Sequence, residues 1–403
     1  MTEYYENTNS QYYDLLKKPN KIYKFKIELL NHYEHTIGEI INDISSDTQG
    51  QITINKQQGM RRSCSFSLIN VDKKYLPTVN NPFWYNRKFK LYIGMYDQKQ
   101  DAIYWFSEGV YITQNASCIH HMVTINAVDK FAFFDGTLNT QLCQKTYKVK
   151  KGVCVGQLIR DTLMLDLGND VPADPILPII DNEFETETTV SEIVLNIGQY
   201  LGDLFIELAS SLGCDVYYDR FGRLKFTRVF NNDFAFWYVH KGALWNFNDI
   251  DINYIDPSTD YAFDGINTVT VTTDNTNGKV YSYTAINDNP SSPIAVSSIG
   301  IRCDNSNPVI YIPIITGQNP KSICKLHAEH VLLEQTSMSI NVSFRTVIMP
   351  HIDVDETVLI TDNYYNWDQQ KFLIQSITVP FGIGESQINA TNIQWLPYHI
   401  QPT

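Results

Sequence analysis

This chain ends in a meander of alternating strands, and it contains the same meander earlier. Between Met338 and Trp395, apolar residues recur at strand period in runs Ser339 to Val347, Thr357 to Thr361, Lys371 to Val379 and Ser386 to Trp395. Ile340, Val342 and Phe344 mark the period in the first run, and Ile388, Ile393 and Trp395 in the last. Successive strand side chains point to opposite sides, so such runs predict strands with one buried face. Turn-rich segments at Met349 to Asp353, Asp362 to Tyr364 and Phe381 to Gly384 separate them, which predicts antiparallel neighbours.

The earlier meander has the same order. Ser63 to Leu68 alternates serine with apolar residues as Ser337 to Phe344 does, and Leu91 to Asp97 ends in an acidic turn like Val358 to Asp362. The aromatic start Tyr104-Trp105-Phe106, running to Ile112, answers Lys371-Phe372 to Val379; Ile125-Asn126-Ala127 answers Ile388-Asn389-Ala390. We read this as an internal duplication of a small antiparallel β-barrel. Before the first copy, Tyr23, Phe25, Ile27 and Leu29 alternate, followed by Ile37 to Ile44 and by Ile52-Thr53-Ile54.

Between the copies the period changes. Val155, Leu158, Ile159 and Leu163 predict a helix over Val153 to Leu167, ending at Gly168. A second helix is predicted from the capping box Thr189-Val190-Ser191-Glu192, with Ile193, Ile197, Leu201, Leu204, Leu208 and Leu212 as its apolar stripe and Gly213 closing it. Val216 to Phe226 reads as a hairpin turning at Asp219 to Gly222. Thr268 to Thr273 and Lys279 to Thr284 flank Asn277-Gly278 as another hairpin, and Asn319-Pro320 opens a last helix. The expected fold is mainly β with an α+β insert: an arm over 1–20, barrels over 21–135 and 245–403, and a helix-hairpin domain over 136–244. The tyrosine-rich arm (Tyr4, Tyr5, Tyr12, Tyr13) is expected to be a frayed terminus.

At 403 residues the chain is too long for one ordinary core, and 43% apolar residues exclude extensive disorder. No run of 18 apolar residues and no signal-peptide pattern occurs, so folding in a cytoplasm without membrane insertion is expected. The seven cysteines are scattered without a Cys-x-x-Cys pair and are expected to be buried free thiols. With 31 basic against 44 acidic residues, the net charge is −13, which disfavours gripping nucleic acid but not a surface past which DNA slides.

Three constellations contain residue types that could carry chemistry. Cys324, His327 and His330, with Glu329 and Glu334 near, are zinc-ligand types, but a spacing of three drifts around a helix, and a structural helix is expected instead. Asp353, Asp355, Glu356, Asp362 and Asp368 could serve a glycosidase or calcium, yet solvated turns carry such residues routinely. Aromatic clusters at Pro82 to Tyr85, Phe234 to Tyr238 and Tyr364 to Trp367 could stack on sugars; core or subunit contacts are the expectation. No catalytic, cofactor-binding or metal residue is therefore assigned, and the chain is read as a non-enzyme.

One resemblance runs through residues 22 to 397. Leu208-Ala209-Ser210-Ser211-Leu212-Gly213 leading into Val216 to Leu224, Ala285 to Pro290, Ile299-Gly300, the last helix and Phe372 to Ile377 resemble the tail-hub, or baseplate-hub, proteins of bacteriophages. These are relatives of the VgrG spike of type VI secretion and of the N-terminal region of tail-associated lysins. The resemblance implies a virion protein: a homotrimer whose two barrels per chain form a pseudo-sixfold ring joining the tail tube, or a distal tail ring, to a threefold spike or tip. Such a ring would line a channel for the tape-measure protein and DNA, its acidic balance keeping DNA from sticking. Because similar proteins carry a lysozyme or peptidase after the last barrel and this sequence ends at Thr403, any such enzyme is expected on another polypeptide. The alternatives are a carbohydrate-binding tail or surface protein using Trp84 or Trp367, and a wall-degrading glycosidase using Asp353 or Asp355.

Overall fold

The computed structural model describes residues 2–45, 50–76, 78, 83, 86–138, 145–165, 171–189, 192–212, 214–228, 243–249, 253–262, 266–273, 280–303, 309–311, 315–316, 320–336, 338–382 and 384–394. Strands make up 48% and helices 15%, so the chain is mainly β, as its alternation predicted. One sheet of 14 strands dominates. In hydrogen-bonding order it runs Ile255–Ala262, Met338–Thr346, Ser386–Gln394, Trp367–Pro380, Gln51–Asn55, Arg62–Ile69, Met122–Asp129, Ala102–Ile119, Lys88–Asp97, Tyr23–Leu30 and Thr36–Ile40. Thr2–Tyr5, Thr357–Asp362 and Ala243–Asn248 attach beside this path. Among the described residues the two end strands do not pair, so the sheet is open.

Both halves of this sheet are paired in the same way. Arg62–Ile69 lies against Met122–Asp129 so that Cys64, Ser65 and Phe66 face Ala127, Asn126 and Ile125. Met338–Thr346 lies against Ser386–Gln394 so that Val342, Ser343 and Phe344 face Ala390, Asn389 and Ile388. The long strand of each half bulges at one equivalent place, between Thr113 and Asn115 in the first half and between Ile374 and Ser376 in the second. An extra residue in a ladder re-aims everything beyond it. Two bulges beside equivalent asparagines, Asn126 and Asn389, therefore mark a structural repeat, in keeping with the duplication read from the sequence.

One apolar core serves both halves, with Ile52, Ile54 and Phe66 in the same cluster as Ile377, Val379 and Phe381. A second core gathers the α+β part, where helices Val155–Leu163 and Leu201–Leu212 and the hairpin Cys214–Tyr218 to Leu224–Arg228 meet. Asp219 shapes that hairpin by accepting from the N–H groups of Phe221 and Arg223, both at 2.9 Å. A third, smaller core lies between strands Thr268–Thr273 and Ser282–Ile286 and the helix Pro320–Thr336. The Asn277-Gly278 turn, the Asn319 cap, Gly168 and Gly213 fall outside the described residues.

Two expectations are corrected. The predicted helix from Ile193 to Leu212 begins at Leu201; Thr188–Thr189 and Ile193–Leu195 are strands. Thr189 does not cap a helix, because its hydroxyl donates to the Lys150 carbonyl and accepts from the Val153 N–H. Ile193 and Leu195 face Val149 and Tyr147 in a ladder, and Gly198 at φ 92° ends that segment. The N-terminal arm is not frayed. Thr2–Tyr5 pairs in parallel with Ala102 to Trp105, and Ser10–Leu16 is a helix that buries Tyr12, Leu15 and Leu16. The tyrosines that made this stretch look polar are its apolar stripe: the Tyr12 ring lies 4.8 Å from Phe106 of the first half and 5.3 Å from His351 of the second.

Candidate functional site

The geometry of this chain that bears on function is the joint between its halves and the two stretches that, among the described residues, repeat one side of that joint. At the joint, Gln51–Asn55 runs antiparallel to the end of Trp367–Pro380, pairing Asn55 with Ser376, Ile54 with Ile377, Thr53 with Thr378, Ile52 with Val379 and Gln51 with Pro380. The ladder continues on both sides, from the Lys56 N–H to the Gln375 carbonyl and from the Phe381 N–H to the Gly50 carbonyl. Ile52, Ile54, Ile377 and Val379 are all buried. Each such burial contributes about 1.5–3 kcal/mol, so the joint is a core contact and not a hinge.

Each strand of the joint has a counterpart in the other half. Ile52 pairs with Cys64 as Thr259 pairs with Val342, which makes Ile255–Ala262 the counterpart of Gln51–Asn55. Asn115 and Ser376 both follow the bulge, which makes Asn115 to Ile119 the counterpart of Ser376 to Pro380. Among the described residues, Ile255–Ala262 pairs only with Met338–Thr346, and Asn115 to Ile119 only with Met122–Asp129. Among the described residues both stretches thus have a ladder on one side, and Tyr261, Ala116 and Cys118 are exposed where their counterparts Ile54, Ile377 and Val379 are buried. Tyr261 is 46% exposed, against 1% for Ile54.

With apolar positions turned to the core, the alternate positions form one solvent-facing surface across the joint. It is built of hydroxyls and amides that satisfy one another. Ser67 bonds Thr124 at 2.8 Å, Asn126 donates to Asn115 at 2.7 Å and Asn389 donates to Ser376 at 2.7 Å. Gln387 donates to Ser343 at 2.6 Å and Thr391 to Asn341 at 2.7 Å. The charged side chains among them are Arg345, which is paired with Asp256 and Glu385, and Asp260 beside Asn341. In a chain with 19% charged residues this face consists mostly of uncharged hydroxyls and amides, a property that Ser63, Ser65 and Ser67 already hint at between apolar neighbours.

The acidic turn considered for catalysis has another occupation. Asp353 and Asp355 are not solvated: Asp353 accepts from Arg62 Nη2 at 2.5 Å, while Asp355 accepts from Arg61 Nη1 at 2.5 Å and pairs with Lys56 at 3.0 Å. Burial alone would raise both carboxyls, but Arg62 and Arg220 hold Asp353 below its ordinary value, and Arg61 and Lys56 do the same for Asp355. Arg61 also reaches Asp215 of the α+β part at 3.0 Å and stacks on Tyr217. Arg220 donates to the carbonyls of Ser107, Pro350 and His351. The cluster thus ties three units together. Its arginines were not singled out in the sequence, since adjacent Arg61 and Arg62 look like any surface pair until their partners arrive from residues far along the chain.

The remaining candidates separate. Glu356 accepts from the Asp353 N–H, Asp362 caps the turn at Tyr364 and Tyr365, and Asp368 is exposed. Cys324 is buried on the last helix with its thiol toward the Tyr281 carbonyl; the side chains of His327, His330 and Glu334 lie outside the description. Among the described residues no group of three metal-capable side chains occurs. Trp367 is buried and stacks on Tyr365 at 4.7 Å, leaving Tyr364, 88% exposed, as the accessible ring of that cluster. Phe83 is core, while Pro82, Trp84, Tyr85 and the 234–238 cluster fall outside the described residues. The six described cysteines are free, but Cys118 and Cys303 are exposed and not buried as expected; Cys143 lies outside the description.

Comparison with known proteins identifies the fold. No family model matches the chain, and no curated protein matches it. Among solved structures, the 43 kDa tail protein of prophage MuSo2 from Shewanella oneidensis aligns over 93% of this chain and 100% of its own, with a TM-score of 0.56 at 12% identity. A tail protein from Neisseria meningitidis MC58 covers 92% of this chain and is covered over 96%, with a TM-score of 0.56 at 10% identity. A chain of the Francisella PdpA-VgrG complex in its lidded form aligns over 97% of this chain and 55% of its own, with a TM-score of 0.51 at 11% identity. The fold is the one seen in these tail proteins and in that chain of the PdpA-VgrG complex. The resemblance drawn from the sequence is thus borne out at the level of fold.

Proposed function

We propose that this chain is a structural, non-enzymatic hub of a phage-type tail tip or baseplate, acting as a trimer that presents six related units to a sixfold tail tube. One observation carries this reading: the chain joins two copies of one unit edge to edge and exposes the counterparts of that joint at both ends. A surface that meets a different surface of its neighbour builds rings or filaments rather than two-fold pairs. Two units per chain in a ring of three give the six positions a tube requires.

The fold likeness to prophage tail proteins supports a tail role within the virion, after assembly in the host cytoplasm. The partners in this reading are the tail tube or distal tail ring on one side, a spike or tip on the other, and the tape-measure protein within. DNA passes without specific binding. What supports this is the hydroxyl and amide face, whose described cation, Arg345, is already paired with Asp256 and Glu385 and so is not free to replace phosphate counterions; the acidic total of the chain is the lesser argument. The engagement of Asp353 and Asp355 by arginines supports the absence of glycosidase chemistry.

The test is native mass spectrometry and electron microscopy of the full chain, alone and mixed with its tail tube protein. A closed ring of three is expected in at least the mixture. A monomer in both samples would overturn the proposal.

A further inference from the structure

Resting on that ring, we infer the strand pairing that closes it: Ile255–Ala262 of one copy lies antiparallel to Asn115 to Ile119 of the next, with Cys118 opposite Thr259. The register follows from the joint already present inside the chain. There Ser376 pairs with Asn55 and Val379 with Ile52. Ser376 corresponds to Asn115 through the shared bulge, and Ile52 to Thr259 through the ladders to Cys64 and Val342. Transferring the pairs one by one sets Asn115 against Ala262, Ala116 against Tyr261, Ser117 against Asp260, Cys118 against Thr259 and Ile119 against Ser258.

Three features of the open edges agree with this occupant. Tyr261, Ala116 and Cys118 occupy the alternation of Ile54, Ile377 and Val379, the positions that the internal joint buries, yet here they lie at the surface. The Thr259 hydroxyl is buried without a hydrogen-bond partner among the described residues. The opposite alternation, Asn115, Ser117 and Ile119 with Ser258 and Asp260, is exposed and continues the hydroxyl and amide face across the contact, with Asp260 as its acid and Ile119 as its apolar end. A second copy of this chain supplies both a main-chain ladder for these edges, where the described residues provide none, and the same polar surface. A shift by one residue would turn Asn115 and Ser117 toward the core side, which disfavours the neighbouring registers.

The test uses the full chain with Cys303→Ser, which leaves Cys118 as the exposed thiol among the described cysteines. In a hydrogen-bonded antiparallel pair the Cα atoms lie about 5.5 Å apart, within disulfide range. Thr259→Cys is therefore expected to give, on oxidation, disulfide-linked dimers and closed trimers on a non-reducing gel. Adding Cys118→Ser should abolish them. Tyr261→Cys should not link to Cys118, since diagonal partners sit about 7–8 Å apart. Hydrogen exchange on the unmodified chain guards against a variant that fails to fold: both strands gain protection when the ring forms. A ring that assembles without protecting these strands, or that links Cys118 to Tyr261→Cys, overturns the register and leaves the hub reading standing. Absence of any ring, alone or with the tube protein, overturns both.

Discussion

Arg62 of the first half holds Asp353 of the second, with Nη2 2.5 Å from the carboxylate across 291 residues of sequence. Arg62 is 2% exposed, so its charge has little water to fall back on. Breaking a buried pair by removing one partner costs about 3–5 kcal/mol, because the other charge is left uncompensated. Arg62→Met is expected to lower the unfolding midpoint by that order, and Arg62→Met with Asp353→Leu to recover part of it. Additive losses in a denaturant double-mutant cycle would mean that the two groups do not act as a pair.

The same cluster sets a pH dependence. Burial raises the Glu108 carboxyl from 4.5 to about 8, despite Arg220 and Arg62 nearby. The folded chain keeps that proton where the unfolded chain has lost it, so this contribution to stability declines as pH rises from 4.5 through 8. His351 acts oppositely: burial and then Arg220 lower it from 6.5 to about 3, so its contribution is lost as pH falls from 6.5 toward 3. Glu108→Gln should flatten the alkaline limb of a thermal-midpoint profile and leave the acid limb intact. An unchanged alkaline limb would assign that loss to another group.

The arm is a structural element. Tyr12 is fully buried and its hydroxyl lies 2.8 Å from His351 Nδ1. Tyr12→Phe should cost about 1 kcal/mol for the hydrogen bond, and Tyr12→Ala about 3–5 kcal/mol for the ring. Wild-type stability in Tyr12→Ala would mean that the arm is dispensable to the joint.

Tyr364 and Trp367 divide the roles of one aromatic cluster. Trp367→Ala should destabilise by about 3–5 kcal/mol, since Trp367 packs between Tyr365 and Phe372. Tyr364→Ala, on an exposed ring, should change stability by less than about 0.5 kcal/mol. Glycan-array binding that disappears in Tyr364→Ala would instead favour the carbohydrate-binding alternative.

Much of the fold was legible in the sequence because strand alternation is local. The runs around Phe25, Phe66, Ile93, Ile125, Phe344 and Ile388 are strands, and the shared Ile-Asn-Ala segments occupy equivalent places. The helix expected at Ile193 failed where local chemistry has competitors: Thr189 found other partners, and Ile193 and Leu195 found a ladder. The acidic turn misled for a related reason, since a carboxylate in sequence does not show whether water or an arginine will meet it.

By itself, the sequence determined that the chain is mainly β, that it repeats a unit, and that Ser and Asn alternate with apolar residues on its strands. Those are properties of neighbours a few residues apart. Only the tertiary structure decided that the two units share one core and one sheet, that Asp353 belongs to Arg62, and that Asn115 to Ile119 and Ile255–Ala262 each have a ladder on one side among the described residues. Each of these depends on hydrogen bonds and charges meeting across long stretches of chain, where alternation carries no information about the partner.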